Sequence, residues 1–149
     1  MALRVGALLA GGLYAGTLAS QARPGASDSA ALQGTWRMVS GMVNGTPMPA
    51  IYAAEMKRVM ESNVVTITMS GQPYFTATVA LDQGKTPKTI DYHILPDFST
   101  ATAGAVQLGI YAIKGDTVLF CFGAPNAVRP QDFTNGPGRT LSSWVRVRP

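Results

Sequence analysis

The stretch Leu32-Gln33-Gly34-Thr35-Trp36 opens a series of short segments in which apolar and polar residues alternate, and the series continues almost to the end of the chain. Alternation with a period of two is typical of β-strands that bury one face. Residue pairs that favour tight turns, such as Asn44-Gly45 and Ser70-Gly71, separate the segments. The sequence therefore predicts one small all-β domain over residues 32–149.

Seven strands are predicted along this domain. They cover approximately residues 35–43, 64–69, 74–81, 89–94, 105–113, 117–122 and 140–147. In the first strand, Trp36, Met38 and Met42 are expected to share one face. Residues 50–60 lack the alternation of a strand, so we predict one short helix there, after the first strand.

Two tight hairpins, at Ser70-Gly71 and Gly115-Asp116, join predicted strands, as in an antiparallel meander, while residues 123–139 form a long connection before the last strand. A flat antiparallel sheet of this size would leave long edges that can pair with other chains. Closing the sheet into a barrel removes those edges. We therefore predict a small antiparallel β-barrel of about seven or eight strands, with a β-sandwich as the alternative.

Residues 1–22 have the layout of a secretory signal peptide. Arg4 supplies the positive region, residues 5–19 form an apolar run, and the small residues Ser20 and Ala22 precede a possible cut before Arg23. We expect this segment to be removed, which leaves no stable membrane span. The sole cysteine lies about a hundred residues downstream, so no lipid-anchoring cysteine follows the cut. These features predict a secreted or periplasmic protein.

Residues 23–31 consist mainly of Pro, Gly, Ser and Ala, a composition that predicts a disordered linker. The whole chain is mildly basic, with a formal net charge of +4. Its cations are scattered, apart from Arg139, Arg146 and Arg148 near the end of the chain. An exposed strand face explains these arginines better than a nucleic-acid site, so no nucleic-acid partner is expected.

Six sequence blocks occur in a characteristic order along the chain. They are Leu32–Trp36, Pro87–Asp91, Leu108–Tyr111, Gly115–Thr117, Cys121–Phe122, and Arg129–Pro130 with Phe133. Taken in this order, the blocks resemble a family of uncharacterised bacterial lipocalin-like domains, which are usually exported. The resemblance implies a small antiparallel barrel whose closed end is plugged by Trp36. It implies no activity, no catalytic residue and no cofactor.

The reactive residue types are few. His93 and Cys121 are the only histidine and the only cysteine, so a metal site of the usual Cys and His ligands is not expected. Cys121 lies in the apolar run 118–122, which favours a buried thiol over a nucleophile. Asp91 and His93 share one strand face, where they would form an acid–base pair if that face were interior. A solvated outer face is the preferred interpretation.

The leading hypothesis is an exported lipocalin-like protein that binds a small, largely apolar ligand at the open end of its barrel. Tyr92, Tyr111 and Arg129 are the candidate ligand-binding residues, because aromatic rings and a guanidinium group suit such a pocket. For Arg129, the alternative is a structural role, in which it stabilises its own loop by hydrogen bonds to carbonyl groups or to Asp132. Two other functions remain open: an interaction module of the cell envelope, and an enzyme that uses Asp91 and His93.

Overall fold

The computed structural model describes residues 27–96 and 102–149. Within these ranges the chain forms two short helices and nine strands. The helices are α1 (Asp28–Ala31) and α2 (Ala50–Ala54). The strands are β1 (Gly34–Val43), β2 (Thr46–Pro47), β3 (Met56–Glu61), β4 (Val64–Met69), β5 (Gln72–Asp82), β6 (Lys88–Ile94), β7 (Val106–Lys114), β8 (Thr117–Gly123) and β9 (Arg139–Arg146).

The strands form a closed antiparallel barrel. From β3 to β9, each strand pairs with the next one along the chain, and β1 pairs with both β3 and β9. The two-residue strand β2 pairs only with the end of β1. Eight strands therefore complete the barrel, which confirms the predicted small lipocalin-like barrel and excludes the β-sandwich.

Turn chemistry sets the register of the meander. Asn44 and Gly45 have φ angles of 51° and 78°, and Ser70 and Gly71 have φ angles of 51° and 77°. Two successive residues with positive φ match the twist of antiparallel hairpins. Both predicted turns are present. The predicted strands beside them, β1, β4 and β5, lie within two residues of their predicted bounds, whereas the two-residue strand β2 was not predicted.

The predicted helix over residues 50–60 is correct only in its first half. Helix α2 ends at Ala54, and residues 56–61 form β3, which pairs with β1 and β4. The inward positions of β3 are Met56, Arg58 and Met60, all buried. The pattern was missed because an arginine occupies the middle of these three positions, where alternation predicts an apolar residue.

The alternation of β1 shifts at an irregularity between Met38 and Ser40. Beyond it, Gly41 faces Met38, and Val43 lines the interior. The side chain of Met42 instead contacts Asn135, in the connection between β8 and β9. The expectation that Met42 shares the face of Trp36 is therefore wrong, because an extra residue in a strand moves every later side chain to the opposite face.

Helix α1 lies across one end of the barrel, called the covered end below. Its Asp28 carboxylate accepts hydrogen bonds from Lys88 at 2.7 Å and from Tyr111 at 2.8 Å. Ser27 caps the helix through the backbone N–H of Ala30. Residues 28–31 of the segment expected to be a disordered linker are thus helical, and the Asp28 carboxylate attaches this helix to β6 and β7. The predicted signal peptide, residues 1–22, lies outside the described residues.

Trp36 is fully buried at the covered end. Its indole N–H donates to the carbonyl oxygen of Leu32 at 3.1 Å, and the guanidinium carbon of Arg146 lies 4.3 Å from its ring centre. Arg146 also donates to the carbonyl oxygens of Ala31 and Gln33. These contacts join α1, the start of β1 and the end of β9, so the covered end is bound together by side chains as well as by strand pairing.

No helix within residues 27–96 and 102–149 combines the length and apolar character that crossing a membrane requires.

We expect Trp36→Ala to lower the free energy of unfolding by about 3–5 kcal/mol, because it removes a large buried ring and leaves a cavity. Urea denaturation followed by far-UV circular dichroism measures the loss. Tyr52→Ala is the matched control, since Tyr52 is 56% exposed and its truncation should change stability little. A Trp36→Ala loss as small as that of the control would contradict this role.

Candidate ligand-binding site

A cavity of about 260 Å³ opens at the end of the barrel opposite α1, called the open end below. The mouth is formed by residues near strand ends, among them Val43, Met69 and Tyr74. The walls come from inward positions of the barrel strands and from Met48. The lining residues are Met38, Val43, Met48, Met56, Arg58, Ile67, Met69, Tyr74, Phe75, Tyr92, Gln107, Phe120, Phe122, Thr140, Ser142 and Trp144.

A chain of aromatic rings forms one side of the cavity. The ring centres of Phe75 and Tyr92 are 5.9 Å apart, those of Tyr92 and Phe122 are 4.4 Å apart, and those of Phe122 and Phe120 are 5.9 Å apart. These separations lie in or close to the range of favourable aromatic pairs. The rings come from β5, β6 and β8. Because β7 lies between β6 and β8, the contact of Tyr92 with Phe122 links two strands that are not neighbours in the sheet.

Arg58 is the charged residue of this lining. Its side chain is fully buried, one inward position deeper than Met56 at the start of β3. The guanidinium carbon lies 4.8 Å from the ring centre of Phe120, and Nε donates to the Tyr92 hydroxyl at 3.4 Å. Nη2 makes a weak contact of 3.7 Å with the sulfur of Met60. Nη1 is buried without a hydrogen-bond partner.

The surroundings of Arg58 compensate its charge only in part. An arginine side chain carries its charge throughout the physiological pH range. Burying a charge is costly unless it is paired, and among the residues that the structure describes no Asp or Glu belongs to the cavity lining. The π-face of Phe120 supplies some attraction, but it cannot accept the hydrogen bonds that Nη1 would make in water. The cavity therefore contains a positive charge that is only partly compensated.

A second polar group reaches the cavity from β9. The indole N–H of Trp144 donates to Ser142 Oγ at 2.8 Å, and both residues line the cavity. Since Ser142 Oγ accepts this bond, the hydroxyl hydrogen is left to be donated elsewhere. Ser142 pairs with Phe120 across β8 and β9, which places it on the strand next to the ring that faces Arg58.

Tyr92, Tyr111 and Arg129 were predicted to bind ligand, and the structure places them in three different surroundings. Tyr92 is buried in the cavity wall. Tyr111 is buried at the covered end, where burial and the adjacent Asp28 raise the pKa of its hydroxyl. These two tyrosines therefore lie towards opposite ends of the barrel.

Arg129 lies in the connection between β8 and β9, away from the cavity lining. Its Nη1 donates to the carbonyl oxygen of Gly109 at 2.8 Å and to that of Ile90 at 3.3 Å. The same nitrogen is 2.7 Å from Asp91 Oδ1, an ion contact without hydrogen-bond geometry. These contacts attach the β8–β9 connection to β6 and β7, so Arg129 holds its own loop in place through carbonyl groups, as the alternative interpretation expected. The other partner considered for it, Asp132, pairs with Arg139 instead.

Asp91 and His93 point outward from β6. His93 is exposed, and the carboxylate of Asp91 forms an ion pair with Arg129. Cys121 is buried beneath the β8–β9 connection, where its thiol lies 3.9 Å from the carbonyl oxygen of Thr134. Burial raises the pKa of this thiol, so the reactive thiolate is disfavoured. None of these three side chains contributes to the cavity lining.

The basic residues at the end of the chain, after and within β9, also have an acidic partner. Arg146 and Arg148 both pair with Asp116, and their hydrogen bonds lower the pKa of its carboxyl group. Arg146 additionally stacks on Trp36 at the covered end. In the part of the chain that the structure describes, no three His, Cys, Asp or Glu side chains cluster as metal ligands would.

Comparison of the chain with models of protein families, with curated proteins and with solved structures gave no match. The likeness to a lipocalin is therefore one of architecture, seen in the closed eight-stranded antiparallel barrel.

Because Arg58 is buried without a counter-ion, Arg58→Met should raise the free energy of unfolding by about 1–3 kcal/mol, the cost of an unsatisfied buried polar group. Replacing buried charges by apolar side chains of similar volume is often stabilising. Urea denaturation measures the change. Arg37→Met is the matched control, since Arg37 is exposed on β1 and its replacement should have little effect. Strong destabilisation by Arg58→Met alone would show that Arg58 is a structural requirement of the barrel.

Proposed function

We propose that this protein is exported and binds a small, largely apolar ligand in the cavity at the open end of its barrel. The observation that carries the proposal is the cavity itself, whose lining is mostly aromatic rings, methionines and aliphatic side chains with a few polar groups. Concave apolar sites with a small number of placed polar groups are the usual form of small-molecule sites. We assign binding to the cavity and no reaction.

Exposed apolar side chains at the open end support an entry route. Val43, Met69 and Tyr74 line the cavity and are also substantially exposed. Ile51 and Tyr52 lie on α2, in the connection between β2 and β3 at the same end, and they are exposed as well. An apolar ligand that approaches this end therefore meets apolar surface before it reaches the interior.

The size of the cavity limits the ligand. At about 260 Å³ it lies just below the range of roughly 300–1,000 Å³ that is usual for ligand pockets. This volume suits a compact ring or a short chain better than a long lipid.

Export rests on residues 1–22 and on the resemblance to exported lipocalin-like domains. When the full chain is expressed in a bacterium, we expect to recover a shortened protein from the periplasm or the medium. N-terminal sequencing should find Arg23 as its first residue, since the small residues Ser20 and Ala22 suit signal peptidase. Recovery of the uncut chain from the cytoplasm would contradict export.

Binding can be tested with N-phenyl-1-naphthylamine, a neutral apolar dye whose fluorescence rises in dry surroundings. We expect saturable one-to-one binding. Thr140→Trp, which places a large ring at the cavity, should weaken binding at least about tenfold, or about 1.4 kcal/mol. Thr68→Trp is the matched control, because Thr68 lies on β4 and does not line the cavity.

Thermal unfolding gives an independent measurement of the same binding. A ligand at one hundred times its dissociation constant should stabilise the native barrel by about 2.7 kcal/mol. Circular dichroism must first show that both tryptophan variants are folded. Equal dye affinity in the two variants, or no binding to the unaltered protein, would overturn the proposal.

A further inference from the structure

We propose that the ligand of this cavity carries a single carboxylate group, bound by Arg58 with the help of the Tyr92 hydroxyl. This inference rests on the proposed ligand-binding function and adds a chemical class to it: a small apolar monocarboxylic acid in its ionised form. The polar end of such a ligand would lie deep in the barrel, and its apolar part would lie towards the open end.

The unpartnered nitrogen of Arg58 is the first observation. Arg58 is fully buried, it lines the cavity, and its Nη1 has no hydrogen-bond partner among the residues that the structure describes. Native proteins leave few buried polar groups unsatisfied, so each exception requires an explanation, and a bound group is one of them. This nitrogen therefore has hydrogen-bonding capacity that no described residue uses.

Tyr92 provides a second donor beside Arg58. Its hydroxyl oxygen accepts from Arg58 Nε at 3.4 Å, which leaves the hydroxyl hydrogen without an assigned acceptor. A carboxylate has two oxygens, so one can accept from Arg58 and the other from Tyr92. Guanidinium and carboxylate are planar groups of matching geometry, and hydrogen bonds between ionised partners are stronger than neutral ones.

The charge of the lining selects the sign of the ligand. Arg58 is positive, and the lining formed by residues 27–96 and 102–149 contains no Asp or Glu. A carboxylate would neutralise the buried charge, whereas a neutral ligand would leave it uncompensated and a cationic ligand would double it. The single cation also favours one negative charge over the two of a phosphate monoester, since the second charge would be buried without a partner.

The position of Arg58 sets the orientation of the ligand. Arg58 lies one inward position deeper than Met56, which is at the start of β3 near the open end. The exposed apolar residues Met69 and Tyr74 lie at the mouth. A ligand with its carboxylate at Arg58 therefore directs its apolar part along the methionine and aromatic walls.

The experiment compares octanoate with 1-octanol, which have chains of equal length but differ in charge. Affinities at pH 8 are measured by displacement of N-phenyl-1-naphthylamine and by calorimetry. We expect the unaltered protein to bind octanoate at least about tenfold more tightly than octanol, which corresponds to one charge-assisted hydrogen-bonded contact. In Arg58→Met, octanoate binding should weaken at least tenfold, so that the preference for octanoate over octanol is lost.

Two further variants separate the roles of the residues. Arg37→Met removes an exposed arginine outside the cavity and should leave the preference for octanoate unchanged. Tyr92→Phe keeps the ring but removes the hydroxyl, so it should weaken octanoate binding by roughly three- to tenfold and octanol binding much less. Circular dichroism confirms that each variant is folded before affinities are compared.

Three outcomes would count against the inference. Equal affinity for octanoate and octanol in the unaltered protein overturns it while the ligand-binding function stands. A folded Arg58→Met that still prefers octanoate also overturns it, because the carboxylate would then be bound elsewhere. If the dye and both ligands fail to bind at all, the proposed function fails together with the inference.

Discussion

The pairing of β1 with β9 is the constraint on which the rest of the structure depends. Seven residue pairs join the two strands, from Trp36 with Arg146 at one end to Val43 with Thr140 at the other. This pairing turns a meander with two open edges into a barrel with a defined interior. It also brings Met38 beside Trp144 and thereby completes the cavity wall. The described residues contain one cysteine, so this closure depends on backbone hydrogen bonds and packing rather than on an internal disulfide.

The two ends of the barrel use their side chains differently. At the covered end, charged and polar groups find partners: Asp28 with Lys88 and Tyr111, and Arg146 with Trp36 and nearby carbonyl groups. In the cavity, Arg58 lacks such a partner at one nitrogen. Sequences generally satisfy local rules of patterning and pairing, and violations concentrate at functional sites. Arg146 is half-buried and has partners for its charge, whereas Arg58 is fully buried, and one of its nitrogens has no partner among the described residues. This contrast is the reason for placing the proposed head-group site at Arg58.

The architecture could be predicted from the sequence because its signals are local. Alternation identified the strands from β4 onward, and Asn44-Gly45 and Ser70-Gly71 marked two turns. Strand β3 was missed because Arg58 interrupts its apolar face. The same residue is the basis of the proposed head-group site. The shift in β1 also escaped prediction, because an extra residue in a strand has no distinct sequence signal.

The candidate site was predicted less completely than the fold. Tyr92 was identified as an inward aromatic residue, and it lies in the cavity wall. Tyr111 and Arg129 have partners that are distant in sequence: Asp28 for the former, and Gly109 and Asp91 for the latter. Such pairings arise only once the chain is folded. Arg58 could have been found by one signal, the spacing of Met56, Arg58 and Met60 at every second position.

The methionines of the cavity have a consequence for selectivity. Met38, Met48, Met56 and Met69 contribute to its wall. Unbranched thioether side chains adjust to irregular shapes at little energetic cost. The guanidinium group of Arg58, in contrast, is held by Phe120 and Tyr92. A barrel that binds ligands in the proposed way would discriminate strictly among head groups while accepting varied hydrocarbon skeletons, so its ligands would be better described by a chemical class than by a single compound.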